Sequence, residues 1–276
     1  YWHGVFGGLY LPHLRQAVWH NLAAAERELR RDEPLTVEQL DLDGDGFDEI
    51  WVHSAAFSGL VSPRRGGAIE EYTVLSAGLN YVDVLTRRRE AYHELAVAEA
   101  GSARGGAGTP SIHEIEKAVR LERLPPIDRD ARAMFVDRVL PGGLTFDAYA
   151  AGAYQPVASW AGAPVEADVR AGGDVVEVAC RARHLEKRLR FDARGGLIVT
   201  YRWDPAMFPA DALFAPEISV AHGLALTYAP EGEVWSFAIG TVSKSERGLD
   251  ETVQGRSLTP RWPVALGGAR IDIVPG

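Results

Sequence analysis

Asp41, Asp43 and Asp45 alternate along the run Asp41-Leu42-Asp43-Gly44-Asp45-Gly46-Phe47-Asp48-Glu49. Carboxylates at every second position, a glycine at the sixth place and an acid at the ninth match the tight oxygen-ligand loop that wraps Ca²⁺. In this reading Asp41, Asp43 and Asp45 offer carboxylates, Gly46 takes the sharp turn, Phe47 lends its carbonyl and Glu49 closes the shell. The apolar run Ile50-Trp51-Val52 follows, so the loop feeds a strand and not a helix. No bidentate glutamate stands at the twelfth place. Acids this crowded repel one another without a cation. The competing reading is an acidic turn that uses Asp and Gly for turn chemistry alone. A bound Ca²⁺ here would be structural, pinning the junction between a helix and the strands beyond it.

A second constellation opens the sequence. Trp2 and His3 stand beside each other, followed by Gly4, Gly7 and Gly8. An indole face suits the apolar face of glucose, and an imidazole can hydrogen-bond a sugar hydroxyl. The pair reads as the rim of a sugar site, with packing of Trp2 and His3 in a core as the alternative. The sequence starts within this block and without Met, so the rest of the site is expected upstream of Tyr1.

Other chemistry-bearing residues give weaker signals. Glu217, in Phe214-Ala215-Pro216-Glu217-Ile218, is a strand carboxylate with His184 and His222 as partners by type only. A catalytic glutamate needs a nearby group of separated pKa, so this reading stands or falls on a histidine within reach. Arg87, Arg88, Glu90, Tyr92 and His93 form a dense polar cluster, read as a solvated strand end with weak ion pairs or as an inter-domain seam. Trp160, Trp203, Trp235 and Trp262 are expected in the core more than on a sugar-binding platform. The single cysteine, Cys180, lies in an apolar run and reads as a buried strand thiol.

The elements that must position these groups follow from periodicity. Leu14, Val18, Leu22, Ala25 and Leu29 recur at spacings of three and four, which predicts a helix over residues 11–33 with one apolar stripe. Pro12 suits its first turn and Pro34 its end. The period then changes to two. Residues 50–53, 57–62, 68–74 and 81–86 read as strands, as do 133–140, 175–180, 185–191, 197–203, 218–226, 233–240 and 269–274. Residues 101–110 read as a low-complexity loop and 114–121 as a short helix. Many strands with short turns and no alternation with helices predict a mainly β fold, a large antiparallel β-sandwich preceded by one long helix. Two parts are expected: residues 1–34 as the end of a helical segment, and 35–276 as the sandwich.

Composition narrows the partners. With 46% apolar and 24% charged residues the chain is ordinary globular material. A net charge of -9 argues against nucleic acid or an anionic membrane as partner, while a neutral glucan needs no electrostatic steering. No apolar run reaches the ~18 residues of a membrane span. A cytoplasmic location is expected.

Several blocks together resemble the C-terminal half of glycoside hydrolase family 57, in its 4-α-glucanotransferase and α-amylase branch. These are the block from Trp2 to Arg15, then Asp45-Gly46-Phe47-Asp48-Glu49, then Gly66-Gly67-Ala68-Ile69, then Leu85 to His93, and Asp128-Arg129-Asp130-Ala131-Arg132-Ala133-Met134-Phe135. They occur in the family's order and cover nearly the whole chain. The resemblance implies a galactose mutarotase-like sandwich, an α-1,4-glucan or maltodextrin as ligand, and an N-terminal catalytic barrel of the same parent protein as partner. It also implies that the barrel carries the two carboxyls of a retaining mechanism; neither barrel motif is in this chain. The chain is thus expected to be the non-catalytic part of an α-glucan enzyme, with Trp2 and His3 as its contribution to the active-site rim. Two alternatives stay open: a free-standing mutarotase- or epimerase-like sugar enzyme, and a calcium-stabilised glucan-binding module.

Overall fold

The computed structural model describes residues 8–102, 124–245 and 248–274. Two antiparallel sheets face each other. The first runs β1 (Thr36–Leu40), β2 (Glu49–His53), β3 (Phe57–Ser62), β4 (Ala68–Val74), β6 (Met134–Leu140), β12 (Leu213–Val220), β15 (Gly248–Pro263) and β14 (Glu233–Ser245), with β5 (Leu79–Asn80) on β4 and β7 (Ala158–Ser159) on β6. The second runs β13 (Ala225–Ala229), β16 (Gly268–Val274), β11 (Leu197–Trp203), β10 (Leu185–Asp192), β9 (Val175–Ala182) and β8 (Glu166–Gly172). This is the expected antiparallel β-sandwich, and helix α1 (Pro12–Leu29) precedes it. No described helix is long and apolar enough to cross a membrane.

The two sheets bury themselves differently. In β10 and β11 every second residue is buried, so the second sheet turns one face to the core and the other to solvent. In β6 every residue is buried, and in β12 all but the first. The first sheet therefore needs cover on its outer face as well. Helix α3 (Phe146–Ala150) supplies part of it, packing Tyr149 against Trp235 and Phe237. The inner face meets the second sheet through Phe57, Phe135, Phe191, Tyr201, Phe214 and Ile271. All four tryptophans weighed for a sugar platform lie in or at the edge of these cores, with exposures of 9% or less. Cys180 is buried there too, and burial pushes its thiol up to about 11.

Among the described residues one ion pair crosses between the sheets. Lys187 of β10 meets Asp137 of β6 at 2.7 Å with both side chains buried, and its Nζ donates to the Phe135 carbonyl at 3.0 Å. Phe135 holds φ of +64°, a conformation that turns this carbonyl out of the ladder at the point where the β6–β12 register shifts.

Several boundaries differ from the sequence expectation. Helix α1 stops at Leu29, four residues early, because Arg30 turns to bond Glu26, Glu33 and His53. The expected strand 81–86 is irregular chain. There Asn80 Oδ1 accepts the Tyr72 and Val82 N–H groups, and its side chain replaces the ladder. The expected strand 218–226 is two strands in different sheets, β12 and β13, separated at Ala221-His222-Gly223-Leu224. Strand β15 has no counterpart in the periodicity, since its glycine, proline and many polar residues hide a strand paired on both sides. Residues 101–102 end helix α2 (Ala91–Ser102) and are not loop. Most of the expected loop 101–110 and all of the helix 114–121 lie outside the described residues.

Replacing Lys187 by Met is expected to cost about 3–5 kcal/mol, since it leaves Asp137 charged, buried and unpaired. Urea denaturation of Lys187→Met and of the double variant Lys187→Met/Asp137→Asn measures it. The double variant is expected to recover part of the loss.

Candidate functional site

The acidic loop folds as a compact turn between β1 and β2. Asp41 Oδ1 accepts the N–H groups of Gly44 and Asp45 at 2.8 and 3.0 Å, and Oδ2 accepts that of Gly46 at 2.9 Å. Gly44 and Gly46 take positive φ, which a side chain would strain. Ligand oxygens of Asp41, Asp43 and Glu49 lie within 4.8 Å of one another. Glu49 is buried and accepts the Leu42 N–H at 3.1 Å; burial, reinforced by the charge of Asp43, raises its pKa. Asp45 points elsewhere, pairing with the Arg64 guanidinium and accepting the Phe47 N–H. The Phe47 ring lies under the same guanidinium, 4.9 Å from its carbon. Of the five expected ligands, the structure brings three carboxylates together and gives Asp45 another partner.

Trp2 and His3 lie outside the described residues. The chain just after them is fastened to the sandwich. The Tyr10 hydroxyl donates to Glu90 Oε1 at 2.7 Å, and Gln254 Nε2 donates to the Tyr10 carbonyl at 2.9 Å. Arg15 donates to the Leu9 carbonyl and pairs with Asp83 at 2.7 Å. The polar cluster 87–93 is solvated only in part, with Arg88 exposed. Arg87 and His93 are buried, and Glu90 accepts from a residue 80 positions away.

Glu217 is the centre of a buried polar network. Its Oε1 accepts from Arg132 and from Ser257 at 2.7 Å, and its Oε2 from Arg138 at 2.8 Å. Arg138 also reaches Asp130 at 2.6 Å, while Arg132 and Arg87 share Asp128. Burial alone would raise the Glu217 pKa, but Arg132 and Arg138 more than offset it, and the carboxyl is held down at about 2. A carboxylate with both oxygens committed to guanidinium groups is a poor proton acceptor. Neither proposed histidine is a partner: His184 accepts from Arg183, and His222 bonds Gln16. The epimerase reading required a histidine paired with Glu217, and among the described residues none bonds it. Sequence reading missed Arg132 and Arg138 as its partners. Asp137-Arg138 inside the apolar run Met134–Leu140 was the available signal, because charges in a strand buried on both faces must find partners.

Helix α1 meets the sandwich through polar groups. Arg15 pairs with Asp83, Gln16 bonds His222 at 3.0 Å, and Arg30 bonds the buried His53. Ala23 is its one buried residue. The apolar stripe lies elsewhere: Leu14, Val18 and Leu22 are 42%, 56% and 53% exposed. At 100° per residue these side chains sit roughly a quarter-turn or more from Ala23. The periodicity was real, but its stripe does not face the sandwich.

Comparison with known proteins gives one consistent picture. The family described as "Alpha-amylase/4-alpha-glucanotransferase, C-terminal" matches residues 41–224 and 220–272, and its middle-domain counterpart matches residues 1–29. A 4-alpha-glucanotransferase of Thermococcus litoralis is 33% identical over 96% of this chain and 44% of its own length. An alpha-amylase of Pyrococcus furiosus is 31% identical over 93% of this chain and 42% of its own length. The crystal structure of the 4-alpha-glucanotransferase from T. litoralis superposes with a TM-score of 0.74 and 27% identity, covering all of this chain and 44% of that one. The chain thus spans less than half the length of the curated relatives it matches.

Ionised Glu217 stabilises the fold at neutral pH, because its folded pKa lies below the ordinary carboxylate value of 4.5. On the order of 3 kcal/mol is expected to be lost as pH falls from about 4.5 to about 2. Denaturation across that range measures it, and Glu217→Gln is expected to flatten this part of the acid profile while lowering stability at pH 7.

Proposed function

Because this chain belongs to the alpha-amylase/4-alpha-glucanotransferase family, we propose that it is the non-catalytic C-terminal part of an α-1,4-glucan-active enzyme. Its roles are to carry the catalytic barrel and to present Trp2 and His3 at the rim of the glucan site. The reaction's nucleophile and acid/base belong to the barrel. Within this chain Glu217, the carboxylate with the strongest local setting, serves as an ion-pair hub. Trp2 offers an indole face to a glucosyl ring, and His3 a hydrogen bond to a hydroxyl.

The observation that carries this reading is the unpartnered stripe of α1. A helix fastened to its own sandwich by arginine, glutamine and histidine contacts, with leucine and valine facing away, is built to be covered on its other side. The barrel and the rest of the middle domain are the occupant: residues 1–29 match the middle domain, and the relatives extend to more than twice this length.

On the same reading Asp41, Asp43 and Glu49 hold a structural Ca²⁺, with the Phe47 carbonyl as a further oxygen and Asp45 available once it releases Arg64. Three clustered carboxylate oxygens, one of them on a buried glutamate with a raised pKa, fit a hard dication. The ion would fasten the β1–β2 turn and take no part in catalysis.

Val18→Lys and Leu22→Lys test the docking. In the isolated chain they are expected to change stability by less than about 0.5 kcal/mol, as exposed substitutions do. In the whole enzyme they are expected to lower the melting temperature by several degrees and to reduce glucan conversion. Equal destabilisation of the isolated chain would place the stripe in a contact of its own and overturn the reading. For the ion, Ca²⁺ is expected to raise the melting temperature of the wild type and to leave Asp43→Asn/Glu49→Gln unmoved, with scanning calorimetry as the measurement.

A further inference from the structure

The acidic loop between β1 and β2 is met by a cation from the protein itself. Arg64 reaches across from the turn between β3 and β4 and pairs with Asp45 Oδ2. Its guanidinium also covers the Phe47 ring. Among the described residues no other acid of the loop pairs with an arginine or lysine. The turn that carries Arg64 is tied down on both sides. The Val165 N–H donates to the Pro63 carbonyl, and the Gly66 N–H to the Ala163 carbonyl, each at 2.9 Å. Arg64 is therefore aimed at the loop by ordered main chain, although its side chain is 44% exposed.

The carboxylates beside it are placed for a different cation. One oxygen each of Asp41, Asp43 and Glu49 lie within 4.8 Å of one another. Glu49 is 2% exposed, and among the described residues only its Oε2 accepts a hydrogen bond, from Leu42. A buried carboxylate with an oxygen lacking a donor calls for a positive charge. Asp45 stands at the edge of this group. Its N–H donates to both Asp41 Oδ1 and Asp43 Oδ1, at 3.0 and 3.1 Å, so its main chain is already beside them. Its carboxylate is committed elsewhere: Oδ1 accepts the Phe47 N–H at 2.9 Å and Oδ2 holds Arg64. Turning Oδ2 from Arg64 to the cluster takes the rotation of one side chain, with the loop left as it is. A dication among these carboxylates attracts Asp45 and repels the guanidinium, so the two cations exclude each other.

We propose that Arg64 is a built-in competitor at the Ca²⁺ site: it holds Asp45 in the ion-free loop, and Ca²⁺ displaces it. The proposal rests on the ion assigned to Asp41, Asp43 and Glu49 under the proposed function. The guanidinium then does two things. It lowers the affinity of the loop for the ion, and it ties the β1–β2 loop to the β3–β4 turn when no ion is bound.

Calorimetric titration of the chelator-stripped whole enzyme with Ca²⁺ alone tests it, with Asp43→Asn/Glu49→Gln titrated to subtract ions bound elsewhere. Arg64→Gln is expected to bind the ion about fivefold more tightly than the wild type, the upper end of what an exposed ion pair is worth. In an Asp45→Asn background the same change is expected to gain less than about twofold, because Asp45 is where the two cations compete. Linkage requires a matching effect on stability. In chelator Arg64→Gln is expected to melt below the wild type, and in saturating Ca²⁺ the two are expected to melt together. Unchanged or weaker binding by Arg64→Gln overturns the proposal. So does a gain in the Asp45→Asn background as large as in the wild type, which marks a general effect of removing positive charge. If neither the wild type nor Arg64→Gln binds Ca²⁺ after the subtraction, the ion reading itself fails, and the competitor role falls with it.

Discussion

Arg132 and Arg138 closing on one buried carboxylate, Glu217, is the interaction on which the outer face of the first sheet depends. Strands β6 and β12 are buried on both sides, and the side away from the second sheet carries charge. Such groups are tolerated only when each has its partners. The network supplies them across elements far apart in sequence: Glu217 from β12, Arg138 from β6, Ser257 from β15, and Asp128 and Arg132 from the segment before β6. Through Asp128 it also fixes Arg87, and Arg87 leads directly into the turn that holds Tyr10. Ion pairs and hydrogen bonds, joined by the main chain from Arg87 to Glu90, therefore run from the middle of the sheet to Tyr10. The same pairing that makes Glu217 useless as a base makes it effective as a strut.

The attachment of α1 follows a complementary logic. Its contact with the sandwich is specific and polar, which fixes orientation, while its apolar side stays available. On the proposed reading such a helix is shared with a second body. The family models divide along the same stretch, the middle domain matching residues 1–29 and the C-terminal domain residues from 41 onward.

Much of this was legible in the sequence. Period-two runs such as 185–191 and 197–203 gave strands β10 and β11 nearly to the residue, because one face of that sheet is solvated and the alternation survives. Where both faces are buried or the chain is polar, the alternation vanishes. Strand β15 escaped for that reason, and with it Gln254. The tight spacing of Asp41, Asp43 and Glu49 pointed to a real cluster, but Asp45 is drawn to Arg64, a partner 19 positions away that spacing cannot reveal. The helix stripe was legible as a stripe; what it faces was not, since amphipathicity names a buried side without naming the body that buries it. Glu217 was visible as a carboxylate, and only three-dimensional proximity to two arginines decides that it is a strut.

On the proposed reading this chain has the architecture of a carbohydrate enzyme's C-terminal part and leaves the chemistry to the barrel. The most direct measurement is to incubate the purified 276-residue chain with maltoheptaose and resolve the products by chromatography, with its folded state verified by a cooperative melt. A folded protein and an unchanged substrate are expected. Shorter maltooligosaccharides, or longer ones made by transfer, would contradict it and place a working pair of carboxyls within these residues.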